Sequence, residues 1–353
     1  MCLAAALVYV PDAEAISAEK AIVMDALTGR ILSQKRADEK SLVASCTKIM
    51  TAILVCENCN MLERVTIPKE AVGIEGSSMY LKEGEKLSVQ ELLYGLMLSS
   101  GNDAAVALAL YCDGTLEAFA QRMNDKADAL GMTDSHFVNP HGLDAANHYS
   151  TARDLAVLAA YAMEDPLFAA TVGTKTAKVG QRVLQNHNRL LWQYADAEGV
   201  KTGYTRAAGR ILVSSAKRQD RRLICVTIND PNDWADHAAM LEAGFSQFHM
   251  TTLVREGQTL GKLPVFGGTG QWVTVEAAED FCWPVSENEN ITVKLPDQGP
   301  VFAPAVAGAH AGYGHILVEG KPVGKVKLYY SETIEQQPAK EKNLLERLLE
   351  RIL

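Results

Sequence analysis

Ser45 and Lys48 stand three residues apart at the head of an apolar run, SCTKIMTAILVC, which ends at Cys56. On a helix such a pair shares one face, with Cβ atoms about 5–6 Å apart, so the amine can act on the hydroxyl. A lysine that accepts a serine proton must be neutral near pH 7. That requires burial, or a second cation, to bring it down from about 10.4. The head of a helix also directs free N–H groups at an oxyanion formed on a carbonyl that the serine attacks. Alone the pair is weak, because a serine and a lysine can equally decorate the first turn of a core helix.

Two further elements add weight. Ser100-Gly101-Asn102 falls at a tight turn between two helical patterns, where a loop would present a hydroxyl and an amide. Lys201-Thr202-Gly203 precedes the β-rich run YTRAAGRILVSSA. On an edge strand it would supply a cation, a hydroxyl and a backbone that glycine leaves open to a ligand. Ser-x-x-Lys, Ser-x-Asn and Lys-Thr-Gly in this order are the signature of serine acyl-transfer enzymes of the penicillin-recognising class.

The text around these elements, ASCTKIMTA, GSSMYLKEGEKL, LMLSSGNDAAVALA, HFVNPHGLD, YSTARDLA, NHNRLLW and GVKTGYT, closely resembles the low-molecular-mass penicillin-binding proteins, the serine-type D-alanyl-D-alanine carboxypeptidases of peptidase family S11. The resemblance is dense over residues 16–250. It implies that Ser45 is the acylated nucleophile, Lys48 its general base and Ser100 the proton relay to the leaving amine. Asn102 would bind the substrate amide, and Lys201 would polarise Ser100 and help to hold Lys48 neutral. Thr202 would bind the terminal carboxylate beside Gly203, and the N–H groups of Ser45 and Tyr204 would form the oxyanion hole. The implied reaction removes the terminal D-alanine from peptidoglycan stem pentapeptides, without a cofactor or metal, and β-lactams would be covalent inhibitors. Two alternatives remain open. A β-lactamase shares the three elements, and an idle cell-wall scaffold would need none of their chemistry.

Other candidate groups have plainer readings. His136, His141 and His148 fall in one loop and suggest a metal, yet no ligand spacing supports one, and loop-stabilising hydrogen bonds account for them. Asp103 could tune the site or cap the next helix. Arg189 and Trp192 could line a cleft or serve structure, and Asp154 suits the start of its helix. Cys56-Glu57-Asn58-Cys59 reads as helix-end cysteines or a local disulfide, and Cys46, directly after the nucleophile, has no evident chemical role.

The elements that must position these residues form an α+β pattern, an antiparallel sheet with a helical block between its strands. AIVMDALTGRILSQKR (21–36) and the runs 210–218 and 221–229 read as hairpins of one sheet. Helices are expected over 45–56, from the Ser88–Glu91 capping box toward Ser99, over 103–112 and over 115–131. A further helix starts at Ser150 or Thr151 and is stopped by Pro166, and another covers 233–248. Residues 251–335 alternate short β runs with Gly/Pro turns, as in a small all-β domain, with 331–340 as a linker.

With 353 residues and 48% hydrophobic content, the chain is long enough for two domains. Its 34 basic and 43 acidic residues, net −9, offer no basic footprint for nucleic acid. Residues 1–15 carry a short apolar stretch ending in Ala13-Glu14-Ala15, which resembles a signal-peptidase site and implies export. No run reaches the roughly 18 apolar residues of a membrane-spanning helix. Residues 340–353 place Leu344, Leu345, Leu348, Leu349, Ile352 and Leu353 on one stripe. With the family's habit of anchoring, this amphipathic helix is expected on the outer face of the cell membrane.

Overall fold

The computed structural model describes residues 16–297 and 299–338, so the expected signal segment and terminal amphipathic helix lie outside the described residues. The chain divides into a unit ending at Phe248 and a second beginning at His249.

Strands β1 (Lys20–Asp25) and β2 (Ile31–Lys35) open the first unit as the expected hairpin. A 3₁₀ turn, Ala44–Thr47, leads into α1 (Lys48–Asn58), followed by the small pair β3 (Arg64–Thr66) and β4 (Lys86–Ser88). The helical block is α2 (Val89–Met97), α3 (Asn102–Asp113), α4 (Leu116–Ala129), α5 (Ala152–Ala162) and α6 (Pro166–Gly173). A small hairpin, β5 (Thr176–Val179) with β6 (Arg182–Gln185), and the short α7 (Leu190–Gln193) precede β7 (Ala197–Thr205). Strands β8 (Gly209–Arg218) and β9 (Arg221–Ile228) and helix α8 (Asp233–Gln247) complete the unit.

Among the described residues the main sheet has the order β2-β1-β9-β8-β7, all antiparallel, so the first unit's opening hairpin joins that unit's last three strands. Period-2 alternation assigns its two faces. Ile22, Met24, Ile224 and Val226 enter the large core with α1 and α5, whereas Ala21, Val23, Leu223 and Cys225 pack under Met240, Leu241 and Phe245 of α8. Strand β1 is buried along its whole length, and its middle, Ala21–Met24, reads as an unbroken apolar run between the charged ends Lys20 and Asp25. β7 is left as an edge.

Most local signals act as expected. Ser88 Oγ accepts from Glu91 N at 3.1 Å while Glu91 accepts from Ser88 N at 2.7 Å, which completes the capping box. Thr151, of the two candidates, caps α5 by accepting from Asp154 N at 3.0 Å. Gly131 follows α4 at φ +72°.

Several expectations are corrected. Pro166 does not stop α5, which ends at Ala162; it occupies the first turn of α6, whose cap is Asp165. Lys-Thr-Gly lies on an edge strand as expected, but within β7 itself and not ahead of the strand. Cys59 bonds to Cys112, tying the end of α1 to the end of α3, and Cys56 stays a free thiol. The presumed linker after residue 330 is stitched into the second unit by bridges Ile334–Ala305 and Gln336–Gly268.

Among the described residues the second unit is all β. Strands β10 (His249–Val254) and β13 (Phe281–Val285) pair with each other. The others are β11 (Thr259–Phe266), β12 (Trp272–Ala277), β14 (Ile291–Lys294), β15 (Val301–Phe302), β16 (His310–Val318) and β17 (Lys321–Tyr330). They form a sheet of order β14-β16-β17-β12-β11-β15 among the described residues, over a core that includes Val273, Val275, Ile316, Val326 and Leu328.

Candidate active site

Ser45 sits half-buried on the 3₁₀ turn, and Lys48 opens α1 fully buried. The turn is held in place from three sides. Cys46 lies beneath β7, with Sγ 3.8 Å from the Lys201 carbonyl oxygen, and burial pushes its thiol up to about 12. The thiol therefore stays protonated and donates to that carbonyl, a positioning contact and not a nucleophilic one. Gly203 brings the strand close: a Cβ there would lie 3.2 Å from Cys46 Sγ and from the Val43 carbonyl oxygen. On the third side Thr47 Oγ1 bonds to His148 Nε2 at 2.8 Å.

Lys48 Nζ has three partners: Ser45 Oγ at 2.9 Å, Asn102 Oδ1 at 2.6 Å and the His141 carbonyl oxygen at 2.6 Å. Complete burial first, and then the Lys201 charge, drive its amine well below the ordinary lysine range. A neutral amine has two hydrogens and one lone pair. Two of its neighbours are carbonyl-type oxygens that can only accept, so both hydrogens are committed to them. The lone pair is left for the Ser45 hydroxyl hydrogen.

Ser100 and Asn102 are fixed at the α2–α3 turn. Ser100 is buried at φ +58°, and its Oγ has no hydrogen-bond partner among the described residues. An unpartnered buried hydroxyl costs about 1–3 kcal/mol and marks a group held for another purpose. Asn102 donates from Nδ2 to the Glu75 carbonyl oxygen at 2.5 Å, so its amide is engaged on both sides, on Lys48 and on the 75–81 segment. Asp103 is not the N-cap of α3, a place held by Gly101. Its buried carboxylate accepts from Met79 N at 3.1 Å, Leu81 N at 3.0 Å and Ser78 Oγ at 2.6 Å, fastening that segment to the turn.

Alternation along β7 sends Lys201 and Gly203 inward and Thr202 and Tyr204 toward the open side. Lys201 is buried and donates to the Thr202 carbonyl oxygen at 2.9 Å, with no hydrogen bond to Ser100. Burial brings its ammonium down to about 8. A cleft of about 920 Å³ opens over Ser45, Ser100, Thr202 and Tyr204, and Arg189 and Trp192 line it as well.

Sequence reasoning missed the backbone acceptor on Lys48. The His141 carbonyl oxygen reaches it because Gly142, at φ +86°, lies against Ala44; a Cβ there would stand 1.8 Å from the Ala44 carbonyl oxygen. The turn residues Asn139, Pro140, His141 and Gly142 were the available signal. The three histidines bond within that loop. Burial pushes His141 and His148 down to about 4, and each neutral ring accepts at Nδ1, from Leu143 N and Val138 N, both at 3.1 Å. His136 Nδ1 meets the Asn147 carbonyl oxygen at 2.6 Å. Among the described residues no group of three or more His, Cys, Asp or Glu is arranged to hold a metal.

Residues 8–232 match the family model of D-alanyl-D-alanine carboxypeptidase, Peptidase S11, and residues 248–336 match that of the penicillin-binding protein 5 C-terminal domain. The chain belongs to the D-alanyl-D-alanine carboxypeptidase family. It is 32% identical over 332 residues to D-alanyl-D-alanine carboxypeptidase DacF of Bacillus subtilis, covering 87% of this chain and 85% of that protein. With DacC of Escherichia coli the identity is 33% over 344 residues, covering 92% and 86%. The solved penicillin binding protein 5 of Haemophilus influenzae superposes with a TM-score of 0.76 at 28% identity, over 91% of this chain and 98% of that one. Penicillin binding protein 6B of Escherichia coli gives 0.73 at 29%, with the same coverage. The protein is thus a serine-type D-alanyl-D-alanine carboxypeptidase with a penicillin-binding-protein fold and a C-terminal β domain, a hydrolase of cell-wall chemistry.

Proposed function

We propose that this carboxypeptidase removes the terminal D-alanine of peptidoglycan stem pentapeptides through an acyl-enzyme on Ser45, with neutral Lys48 as the base. The observation that carries the reading is the hydrogen-bond set of Lys48, two carbonyl-type acceptors and one serine hydroxyl on an amine held below its ordinary range. Ser45 Oγ attacks the carbonyl carbon of the penultimate D-alanine as its proton passes to Lys48 Nζ. The N–H groups of Ser45 and Tyr204 receive the oxyanion. Collapse breaks the C–N bond, and Ser100 relays the proton to the departing amine of D-alanine. Water then cleaves the ester and Ser45 recovers its proton.

Thr202 on the open side of β7 would take the terminal carboxylate, and Asn102 would hold Lys48 while its turn borders the substrate. Lys201 would act through its charge, which keeps Lys48 neutral, and Gly203 would let the substrate lie against the strand. β-Lactams would acylate Ser45 in the same way. On this reading residues 16–250 carry catalysis and residues 251–335 form an accessory domain. The flanking segments 1–15 and 340–353 serve export and attachment to the outer face of the cell membrane. Release of D-alanine from diacetyl-Lys-D-Ala-D-Ala is the test. The wild-type chain should release it and Ser45→Ala should not; release by the variant would end the proposal. Deleting residues 340–353 should move the protein out of the membrane fraction, and unchanged partitioning would refute the anchor.

A further inference from the structure

The sheet of the second unit has an outer face that ought to be polar, because its inner face already supplies the core. Strand β12 follows that rule inward, with Val273 and Val275 wholly buried, but it directs Trp272 outward, 55% exposed. On β11, Leu263 is buried while Pro264 and Phe266 point outward, Phe266 at 66% exposure. The registers Pro264↔Trp272 and Phe266↔Phe302 put all four residues on one face. Phe302 is 72% exposed and meets the Phe266 ring edge to face at 5.8 Å. Lys262, also outward, lies two residues before Pro264 and opposite Thr274. Three large aromatic rings with a neighbouring cation therefore occupy one end of a surface that folding leaves in water.

The chain leaves the described structure at this same spot. Gln337 N donates to the Gly267 carbonyl oxygen at 2.7 Å, Thr269 N donates to the Glu335 carbonyl oxygen at 2.8 Å, and Gln336 bridges Gly268. The turn directly after Phe266 thus pins the chain just before the amphipathic stretch that starts at residue 340. In sequence that stretch follows Gln337 by only three residues. Its charged residues, Lys340, Lys342, Arg347 and Arg351 against Glu341, Glu346 and Glu350, come to a net charge of +1, which gives it only a small electrostatic pull toward anionic lipid. A second apolar contact is what such a weak anchor lacks.

We infer that the Phe266, Trp272 and Phe302 patch is a lipid-contact surface that inserts its rings at the headgroup boundary alongside the terminal segment. The inference rests on the membrane reading given above. Tryptophan and phenylalanine beside a lysine fit that boundary, where an apolar body and a polar rim are both satisfied. The patch is too small for a stable dimer: three aromatics of about 150–250 Å² each, partly covered, fall short of the roughly 800 Å² per partner of a specific interface.

The test is co-sedimentation of the full chain with vesicles of phosphatidylethanolamine and phosphatidylglycerol. The triple variant Phe266→Ser, Trp272→Ser, Phe302→Ser should bind about tenfold less or weaker still, while keeping its thermal transition and its rate of penicillin acylation. As a second readout, brominated acyl chains should quench part of the tryptophan emission, and Trp272→Phe should remove that part. Wild-type binding by the triple variant, with binding lost on deletion of residues 340–353, would overturn this surface and leave the anchor standing. A full chain that ignores the vesicles would overturn both. A concentration-dependent dimer that the triple variant abolishes would assign the patch to a second copy and refute the lipid contact.

Discussion

Lys201→Met should make the enzyme more stable and less active, and the size of the first effect follows from its burial. The side chain is 1% exposed and burial brings its ammonium from 10.5 down to about 8. An unfolded lysine holds its proton up to about 10.4, so between about pH 8 and that value the unfolded state binds more protons than the folded one. Stability therefore rises with pH across this window, and below about pH 8 the full cost of the buried charge is present. The gap of about 2.5 pH units, at about 1.4 kcal/mol each, is on the order of 3 kcal/mol. Methionine keeps most of the volume and has no charge to desolvate, but it leaves the Thr202 carbonyl oxygen without the ammonium, a loss of about 1 kcal/mol. The net gain at pH 7 is about 2 kcal/mol. It should shrink toward zero and reverse as pH approaches 10.4. Removing the Lys201 charge also lets Lys48 rise toward its ordinary range, which moves the acid limb of acylation to higher pH and slows acylation at pH 7 at least about tenfold. Urea unfolding at pH 7 and at pH 10, with stopped-flow penicillin acylation, measures both. A variant less stable than wild type at pH 7, or a stability difference indifferent to pH, would refute the reasoning.

Three other outcomes follow from the same geometry. Acylation of the wild-type enzyme should be bell-shaped in pH, with an acid limb well below the ordinary lysine range from Lys48 and a decline through about pH 8 as Lys201 loses its charge; a single limb near 10.5 would exclude a neutral Lys48. Gly142→Ala drives a Cβ into the Ala44 carbonyl and displaces the His141 acceptor, so acylation should fall about a hundredfold, read with a fluorescent penicillin. Cys59→Ser should open the 53-residue loop closed by the disulfide and cost about 2–4 kcal/mol in urea unfolding, without changing the pH profile of acylation.

Features that depend on neighbours in sequence were legible from it. The capping box at Ser88 and Glu91, the hairpin of β1 and β2 and the i, i+3 pairing of Ser45 with Lys48 are local, and the residue types carry the whole signal. Pro166 was misread for the same reason: a proline that ends one helix and a proline that begins the next look alike in one sequence, and the Asp165 cap decides between them. What stayed hidden was long-range or made of backbone. Asp103 looked like a cap because its partners, Ser78, Met79 and Leu81, lie over twenty residues upstream. The His141 carbonyl has no side-chain signature, and the partner of Cys59 is set by packing of α1 on α3 and not by the nearby Cys56. Cys46 had no reading until β7 was seen to cross it, where a small, protonated side chain is what the approach of Gly203 allows.

The claim that Ser45 is a nucleophile activated by Lys48 is tested most directly by intact mass and peptide mapping after incubation with benzylpenicillin. The expected result is one penicilloyl adduct on the peptide that contains Ser45, absent in Ser45→Ala and forming far more slowly in Lys48→Met. An adduct on another residue, or Lys48→Met acylated at the wild-type rate, would contradict it.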